Sequence, residues 1–487
     1  MKIVTKIIFS ITLTGSVLFS SCRKQIDQEP VYTLNGDNAF KTIEDYQFAL
    51  TGAYSRLLQN SIYASSNGAN AFACLSDMMT DNLFETSESL GNYTDFSRWS
   101  YTADDANIED TWLDAYRVVQ QANITLRNID KLAATNTGAV NRIKAQAIAL
   151  RAMVQFELLR YFGEAADRHS TLLGIPYVTL FDVEQKPARL TVKGSYDKIE
   201  SDLKTAKELM TAMDAPIQSV TSTAGTARSL IDDMVVNAML ARMYNYAGEN
   251  DSAYKYASLC IAARPLANRT NFPLIWQDAN TSEVIWSVKI QAPTSGVGDN
   301  VYYPIGNRAA YRPTTGLLSL YSTTNDIRYS SYFQIRARGT GSRLVLSKYL
   351  SKQASITSPN GIVDYKVFRT GEMVLIAAEA LARMGGAANE SASLALLNSL
   401  RSIRINAYIP GTETGANLLN AIFTERRKEL VCEGQRFFDL KRTTKIINRV
   451  TNCSSFCTLG ASSREWAWPI PQSELLANSN MHQNTGY

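Results

Sequence analysis

The chain has 487 residues, of which 45% are hydrophobic, and it carries 49 Lys and Arg residues against 45 Asp and Glu residues. This composition supplies a sizeable core, and the length allows several domains or one long helical array. A net charge of only +4, without a basic tract, argues against a nucleic-acid-binding protein.

The first 22 residues have the pattern of an export signal. Lys2 and Lys6 form a positive head, an uncharged apolar run extends from Ile7 to Val17, and small residues precede Cys22. The apolar run is too short to span a membrane. The segment resembles a bacterial lipobox, which is cut before a cysteine that then carries acyl chains. We predict a lipoprotein signal at 1–21 and lipidation of Cys22; an ordinary signal peptide with a chance cysteine is the alternative.

Apolar residues recur every three or four positions over much of the chain, which is typical of amphipathic helices. The clearest stripes occupy 145–163, 235–247 and 367–384, and each ends at or directly before a glycine. Further helices are predicted near 43–59, 108–131, 195–213, 251–263, 389–404, 415–433 and 435–447. We expect antiparallel helix pairs joined by short turns.

One window partly matches the tetratricopeptide repeat. Its pattern requires Leu and a small residue, then Tyr, Ala and Pro at fixed offsets. The positions usually held by Trp and Phe carry Asn237 and Ala257. Small residues let two helices approach closely, and the proline ends the second helix. The residues on the expected offsets are Leu240, Ala241, Tyr244, Ala253 and Pro265. We predict a mainly α fold: a tetratricopeptide-like helix-pair superhelix with long irregular loops and a few short strands.

Two aromatic-rich, irregular segments interrupt the helices, one at 60–107 and one at 266–365, where Val284–Val288 favours a strand. Loops on a rigid scaffold are a common place for binding residues. Their Trp and Tyr rings can stack on sugars or contact peptides, or they can pack within the loops themselves. The candidate ligand-binding residues are Trp99, Tyr101, Tyr302, Tyr303 and Tyr311.

The sequence offers little for catalysis. The two histidines, His169 and His482, lie in no nucleophile motif, and no metalloprotease, phosphate-loop or dinucleotide motif is present. Paired carboxylates could support glycoside hydrolysis, but adjacent acids at helix starts usually favour the helix dipole. We predict no catalytic residue, no cofactor and no metal site. The acidic pairs considered are Asp77 with Asp81, Asp104 with Asp105, and Asp232 with Asp233.

Five cysteines follow Cys22, at spacings that do not form a disulfide framework. Cys453 and Cys457 lie in a Ser-rich loop. The sequence is compatible with a local disulfide between them and equally with two free thiols. The other three, Cys74, Cys260 and Cys432, are predicted to be small buried hydrophobic residues.

A dense charged run extends from Glu425 to Arg442. Glu425, Glu429 and Glu433 repeat every four residues, so they share one helix face. A solvated face is the default interpretation of such a run. The interleaved Phe437 and Phe438 instead favour a partly buried ion-pair lock between helices.

This run, ERRKELVCEGQRFFDLKR, resembles the signature helix of the SusD/RagB family of nutrient-binding lipoproteins. The ending, from Trp468 through Tyr487, resembles the closing segment of that family, and residues 116–129 and 150–163 resemble its N-terminal helices. Departures are Thr485 at a usual proline, Cys432 at a usual small or apolar position, and basic residues directly after Cys22.

The resemblance implies a non-catalytic protein of the outer membrane with four tetratricopeptide-like pairs. Such a protein would be held by a lipid anchor, face outward, capture an oligosaccharide and deliver it to a SusC/RagA-like TonB-dependent transporter. A peptide-binding RagB-type protein and a non-capturing envelope scaffold are the alternatives. We divide the mature chain into an N-terminal helical region at 22–265, a loop-rich segment at 266–365 and a C-terminal helical region at 366–487.

Overall fold

The computed structural model of the protein describes residues 39–59, 61–64, 69–217, 228–292, 296–303, 305–352 and 359–487. The predicted export signal and Cys22 lie outside the described residues, so lipidation stays a prediction. Residues 46–487 form one compact unit. The other unit, Met1–Asp45, is described from residue 39, and there the Asp45 carboxylate accepts backbone hydrogen bonds from Lys41 and Thr42.

Helices make up most of the regular structure. The long ones in the described ranges are α1 (Ile43–Arg56), α2 (Ala106–Leu126), α3 (Ala133–Phe162), α4 (Val192–Met210), α5 (Asp233–Ala247), α6 (Asn250–Ala263), α7 (Thr370–Met384), α8 (Ala387–Arg404) and α9 (Gly415–Glu429). Shorter α-helices are Leu75–Met78, Thr94–Arg98, Phe272–Ile275, Gly298–Val301, Thr315–Leu318, Ile327–Tyr332, Arg436–Arg442 and Gln472–Ala477, with 3₁₀ turns at Ile129–Leu132 and Arg464–Trp466.

These bounds confirm the predicted mainly α fold. They also show two helix ends that the apolar periodicity did not predict correctly. Helix α3 begins at Ala133, well before the predicted 145, and it contains one non-helical residue, Asn136. The helix predicted at 435–447 ends at Arg442. It stops there because Thr444 adopts a positive φ of 53° and a strand follows at Ile447–Asn448.

The tetratricopeptide-like window forms the pair α5–α6, which also packs on α7. Asp232 caps the start of α5, and Gly248, with a φ of 83°, ends it in the left-handed conformation that glycine adopts without strain. The small residues that allow the close approach are fully buried: Ala241, Ala253 and Ala257. Other neighbours along the chain, α2–α3, α3–α4 and α7–α8, also pack on one another.

The strands are short and pair antiparallel: β1 (Leu83–Glu85) with β3 (Tyr311–Pro313), β2 (Val284–Val288) with β6 (Tyr365–Arg369), β4 (Phe333–Arg338) with β5 (Gly341–Leu346), and β7 (Ile447–Asn448) with β8 (Thr458–Leu459). The predicted strand at 284–288 is confirmed, and it is buried along its whole length.

One hydrophobic core contains residues from all three predicted regions of the mature chain, from Ala53 to Met481. A smaller core lies among α7, α8 and α9. The predicted region boundaries at 265 and 365 stay a prediction. Within the described ranges, no helix combines the length and the apolar character that a membrane crossing requires.

A cluster of buried charges connects the C-terminal helices to the loop-rich segment. We name it the buried ion network; its members are Glu283, Asp326, Arg328, Lys348, Arg369, Arg404, Glu425, Lys428, Glu429 and Glu433.

Glu429 lies at the centre of this network. Its carboxylate is 3.1 Å from a guanidinium nitrogen of Arg328, 3.0 Å from one of Arg369 and 2.9 Å from one of Arg404. Gly371 allows this approach, because a Cβ there would lie 2.6 Å from Glu429 Oε1. The ion-pair lock is therefore confirmed, and the alternative of a solvated helix face is wrong.

The cysteines differ in part from the prediction. Cys260 is a free buried thiol as predicted, and Cys453 and Cys457 form a local disulfide. The prediction for Cys74 and Cys432 is wrong, because these two buried residues form a disulfide across 358 positions of sequence. Packing of helix Leu75–Met78 against helix Arg436–Arg442 brings them together, and sequence spacing does not reveal such a contact.

Candidate ligand-binding surface

The structure buries most of the five aromatic residues predicted to bind ligand. Trp99, Tyr101, Tyr302 and Tyr311 are 7%, 2%, 0% and 1% exposed, whereas Tyr303 is half-buried. In this structure four of the rings therefore pack in the interior, and Tyr303 alone of the five has substantial solvent contact. Their role as ligand-binding residues stays a prediction.

Trp99 and Tyr101 of the first loop region, 60–107, contact segments that lie outside the second loop region, 266–365. The Trp99 indole nitrogen donates to the backbone oxygen of Met79 at 2.9 Å, and the guanidinium of Arg449 lies 4.1 Å from its ring centroid. The Tyr101 hydroxyl donates to the backbone oxygen of Glu465. The contacts with Arg449 and Glu465 tie the 60–107 segment to the C-terminal part of the chain.

The three tyrosines of the second loop region have different partners. Strand β3 places Tyr311 opposite Glu85 of β1, and Tyr303 forms a backbone bridge with Arg308. The Tyr302 hydroxyl accepts a hydrogen bond from Arg336 Nε at 2.9 Å, and the Arg336 guanidinium lies 5.2 Å from the Tyr302 ring centroid. The buried tyrosine thus supports an arginine at the surface.

That arginine belongs to the hairpin β4–β5, whose strands pair without interruption from Phe333 to Leu346. Side chains alternate faces along a strand, so Arg336 and Arg338 share one face. Arg343 of β5 is directly opposite Arg336 and lies on the same face. We name this face, with its residues Arg336, Arg338 and Arg343, the arginine hairpin.

Glu88 of the first loop region is the carboxylate partner of this face. Its oxygens lie 2.7 Å from Arg338 Nη1 and 2.9 Å from Arg343 Nε, and one accepts from the Ala309 backbone at 2.7 Å. Burial raises the pKa of Glu88, but the Ala309 and Arg343 hydrogen bonds and the arginine charges outweigh it and hold the pKa below its usual range. Glu88 is therefore an anion that orients two guanidinium groups.

A second carboxylate fixes the neighbouring loop. Glu85 accepts hydrogen bonds from the hydroxyls of Ser89, Thr94 and Ser97, at 2.8, 2.5 and 3.4 Å. The guanidinium of Arg98, half exposed, lies 3.9 Å away. The loop from 84 to 98 thus has a defined conformation beside the arginine hairpin.

Sequence reasoning missed the arginines of this surface. A fourth arginine, Arg312 of β3, contacts the same hairpin. Its Nε donates to the Leu344 backbone at 3.1 Å, and its guanidinium lies 5.8 Å from the Phe84 ring centroid. The alternation of Arg336 and Arg338 in a β-favouring run was the available signal. Their common face depended on the register of the hairpin.

A cleft of about 900 Å³ lies elsewhere, among the ends of α3 and α5 and the C-terminal segments. None of the five predicted residues lines it. Lys441 in its wall donates to the backbone oxygens of Arg160 and Gly163 at 2.9 and 2.8 Å, and burial with the nearby Arg160 charge lowers the pKa of Lys441 to about 7. These carbonyls end α3, so Lys441 has a helix-capping role.

The acidic pairs considered for hydrolysis have structural partners. Asp105 and Asp232 cap α2 and α5 by accepting backbone hydrogen bonds. Asp81 lies between Arg427 and Arg436, at 3.2 and 2.9 Å. Among the described residues, no group of three His, Cys, Asp or Glu side chains is placed to hold a metal ion.

Among the acids of those pairs, Asp77 has the most strongly shifted pKa. Burial raises the pKa of its carboxyl to about 6, although hydrogen bonds from Asn82, Cys432 and Ser76 oppose the rise. The side chain is fully buried, and Asn82 Nδ2 donates to it at 2.7 Å. It therefore packs as a satisfied interior group.

Comparison with known proteins extends over nearly the whole chain. A profile described as SusD family matches residues 300–487, and a profile described as "Starch-binding associating with outer membrane" matches residues 37–253. The chain is similar to SusD-like protein P38 of Formosa agariphila, with 23% identity over 99% of this chain and 98% of the relative.

Solved structures share the fold. A SusD superfamily protein of Bacteroides thetaiotaomicron is 25% identical, covers 91% of this chain and 100% of its own, and superposes with a TM-score of 0.78. A putative sugar binding protein of Bacteroides vulgatus is 24% identical, with 92% and 99% covered and a TM-score of 0.76. The two profiles, the full-length relative and the common fold agree with the signature run at 425–442, and the chain belongs to the SusD/RagB family.

Proposed function

We propose that this protein binds an oligosaccharide at the surface formed by loop 84–98, residues 302–303 and 305–312, and the arginine hairpin. The observation that carries the proposal is family membership along almost the whole chain, with a structural neighbour named as a putative sugar binding protein. SusD-like proteins are substrate-binding and non-catalytic, which agrees with the prediction that this chain is not an enzyme.

The chemistry of the surface supports carbohydrate as the ligand. Tyr303 offers a partly accessible ring, and aromatic faces pack well against the C–H faces of sugars. In the arginine hairpin, N–H groups and the Glu88 carboxylate stand in fixed positions, so they can form directional hydrogen bonds with hydroxyls. The buried aromatic residues below this surface would hold the loops in place; they are Trp99, Tyr101, Tyr302 and Tyr311.

Calorimetry of the purified protein against oligosaccharide and peptide panels tests the proposal. We expect an oligosaccharide to bind and Tyr303→Ala to weaken it about tenfold, which corresponds to roughly 1.4 kcal/mol. Tyr254→Ala is the matched control, because Tyr254 is a 36% exposed tyrosine on α6, away from the loops. Binding of peptides alone would support the RagB-type alternative, and no binding in either panel would support a non-capturing scaffold.

Delivery to a transporter is the further part of this proposal. The matched profile describes outer-membrane association, which supports an outer-membrane location for this chain. We propose an outward-facing protein, anchored through Cys22, that passes its ligand to a SusC-like TonB-dependent transporter. Labelling with a fatty-acid probe should modify the wild-type protein and not Cys22→Ala. Co-purification of a TonB-dependent transporter from membranes tests the partnership.

A further inference from the structure

We propose that the arginine hairpin is an anion-binding site that selects acidic saccharide units, those with a carboxylate or a sulfate ester. This inference rests on the proposed function and adds the substrate class to it. The net charge of the whole chain, only +4, does not indicate such a preference. The preference follows from a local excess of arginine.

The hairpin register concentrates positive charge. Arg336 and Arg343 are directly opposite each other, an arrangement that is unfavourable for two like charges. Arg338, two residues along the strand, adds a third guanidinium to the same face. Arg338 and Arg343 both contact Glu88, and their like charges repel each other unless anions neutralise them.

The protein supplies little neutralisation for Arg338 and Arg343. Among the described residues, Glu88 is the carboxylate within 4.0 Å of Arg338 and of Arg343, so one negative charge serves both. The nearby Glu85 is occupied by three hydroxyl donors and Arg98. The face therefore retains a positive charge that an anionic ligand would neutralise.

The guanidinium groups are also held in place before any ligand arrives. The Arg343 side chain is 8% exposed and donates to the backbone oxygens of Asn307 and Arg336 as well as to Glu88. Arg336 is packed over Tyr302. Arg338, at 35% exposed, presents N–H groups to solvent. Planar guanidinium forks match carboxylate and sulfate oxygens, and fixed donors lose little entropy on binding.

Affinity electrophoresis with matched polysaccharides tests the inference. Each acidic polysaccharide, rich in uronate or in sulfate ester, is compared with its carboxyl-reduced or desulfated counterpart of the same backbone. We expect at least one acidic polymer to retard the protein and its neutral counterpart to retard it much less. The two kinds of polymer separate carboxylate from sulfate as the recognised group.

Variants tie the effect to the hairpin. With the acidic ligand, Arg338→Gln should weaken binding about tenfold, and Arg338→Lys should retain most of it because the charge remains. Arg117→Gln is the matched control: Arg117 Nη1 lies 2.7 Å from Asp114 on α2, the same distance that separates Arg338 Nη1 from Glu88. The control should bind as the wild type does.

The outcomes separate this inference from the proposed function. Retardation by neutral polymers equal to or stronger than by acidic ones would overturn the anion site and leave glycan binding intact. Acid-dependent binding that Arg338→Gln does not change would also overturn it. No retardation by any polysaccharide would count against both.

Discussion

The buried ion network and the arginine hairpin both pair arginine with glutamate, but the two clusters have different roles. In the network, Arg328, Arg369 and Arg404 are fully buried, and each contacts at least two carboxylates. In the hairpin, the partly exposed Arg338 and the more buried Arg343 share the single carboxylate of Glu88. The comparison teaches that burial and the ratio of carboxylates to arginines decide whether such a cluster holds the fold together or remains available to a ligand.

The physical reason is desolvation. A buried charge is tolerated when paired charges and hydrogen bonds replace its water shell, and removal of one partner leaves the others uncompensated. An exposed pair keeps water as an alternative partner, so its loss costs little. The predictions below test this difference, from the largest expected effect to the smallest.

Substitution of the central carboxylate should have the largest effect. Glu429→Gln leaves Arg328, Arg369 and Arg404 without the charge that they share, so we expect a loss of about 3–5 kcal/mol in the free energy of unfolding by urea. Glu208→Gln, on the exposed face of α4, is the control and should change stability by less than about 0.5 kcal/mol. A loss below about 1 kcal/mol for Glu429→Gln would contradict the role assigned to the network.

Loss of the Cys74–Cys432 disulfide should have the second-largest effect on the free energy of unfolding. Cys74→Ala with Cys432→Ala opens a link across 358 positions, and we expect a loss of about 2–4 kcal/mol. Cys453→Ala with Cys457→Ala opens a link across 4 positions and should cost clearly less, because a short loop restricts the unfolded chain less. Urea unfolding of both double variants measures the difference, and equal losses would argue against the explanation from loop length.

Acid should weaken the buried ion network. Burial raises the pKa of Glu425, but the charges of Arg328, Lys428 and Arg401 outweigh it and lower the pKa from 4.5 to about 2. A depressed folded-state pKa gives stability that is complete above 4.5 and is lost as the pH falls towards 2. At pH 3 this carboxyl alone should cost about 2 kcal/mol. Unfolding curves from pH 6 to pH 3 measure the loss, and in Glu425→Gln the slope should be shallower.

The hairpin arginine should have the smallest effect on stability. Arg338→Gln removes a partly exposed ion pair, so we expect a change of less than about 1 kcal/mol in the free energy of unfolding. The same variant is expected to weaken binding of an acidic glycan. A stability loss above about 2 kcal/mol would place Arg338 with the buried network and end the contrast between the two clusters.

Local patterns in the sequence predicted the helical scaffold well. Helix α5 was predicted at 235–247 and occupies 233–247, and α6 was predicted at 251–263 and occupies 250–263. Capping by Asp232 and termination by Gly248 are local effects, so neighbouring residues suffice to predict them. The lock formed by Glu425, Glu429 and Glu433 was also predictable, because apolar residues interrupt the charged run.

The candidate site was predicted less well, because its members depend on contacts far apart in the chain. Trp99 and Tyr101 have the composition of binding residues, yet contacts with Arg449 and Glu465 bury them. An aromatic ring suits a core and a sugar equally well, and exposure distinguishes the two. Exposure follows from tertiary packing, which spacing in one loop does not reveal.

The sequence by itself determined the helix pairs, the family through its run at 425–442, and the presence of paired charges among the C-terminal helices. The tertiary structure alone decided that Cys74 meets Cys432, that four of the five chosen aromatic rings are buried, and that Arg336, Arg338 and Arg343 share one face beside Glu88. The reason is range: a helix and its caps depend on neighbours within a few residues, whereas a disulfide, a buried ring and a charged surface depend on which distant segments pack together.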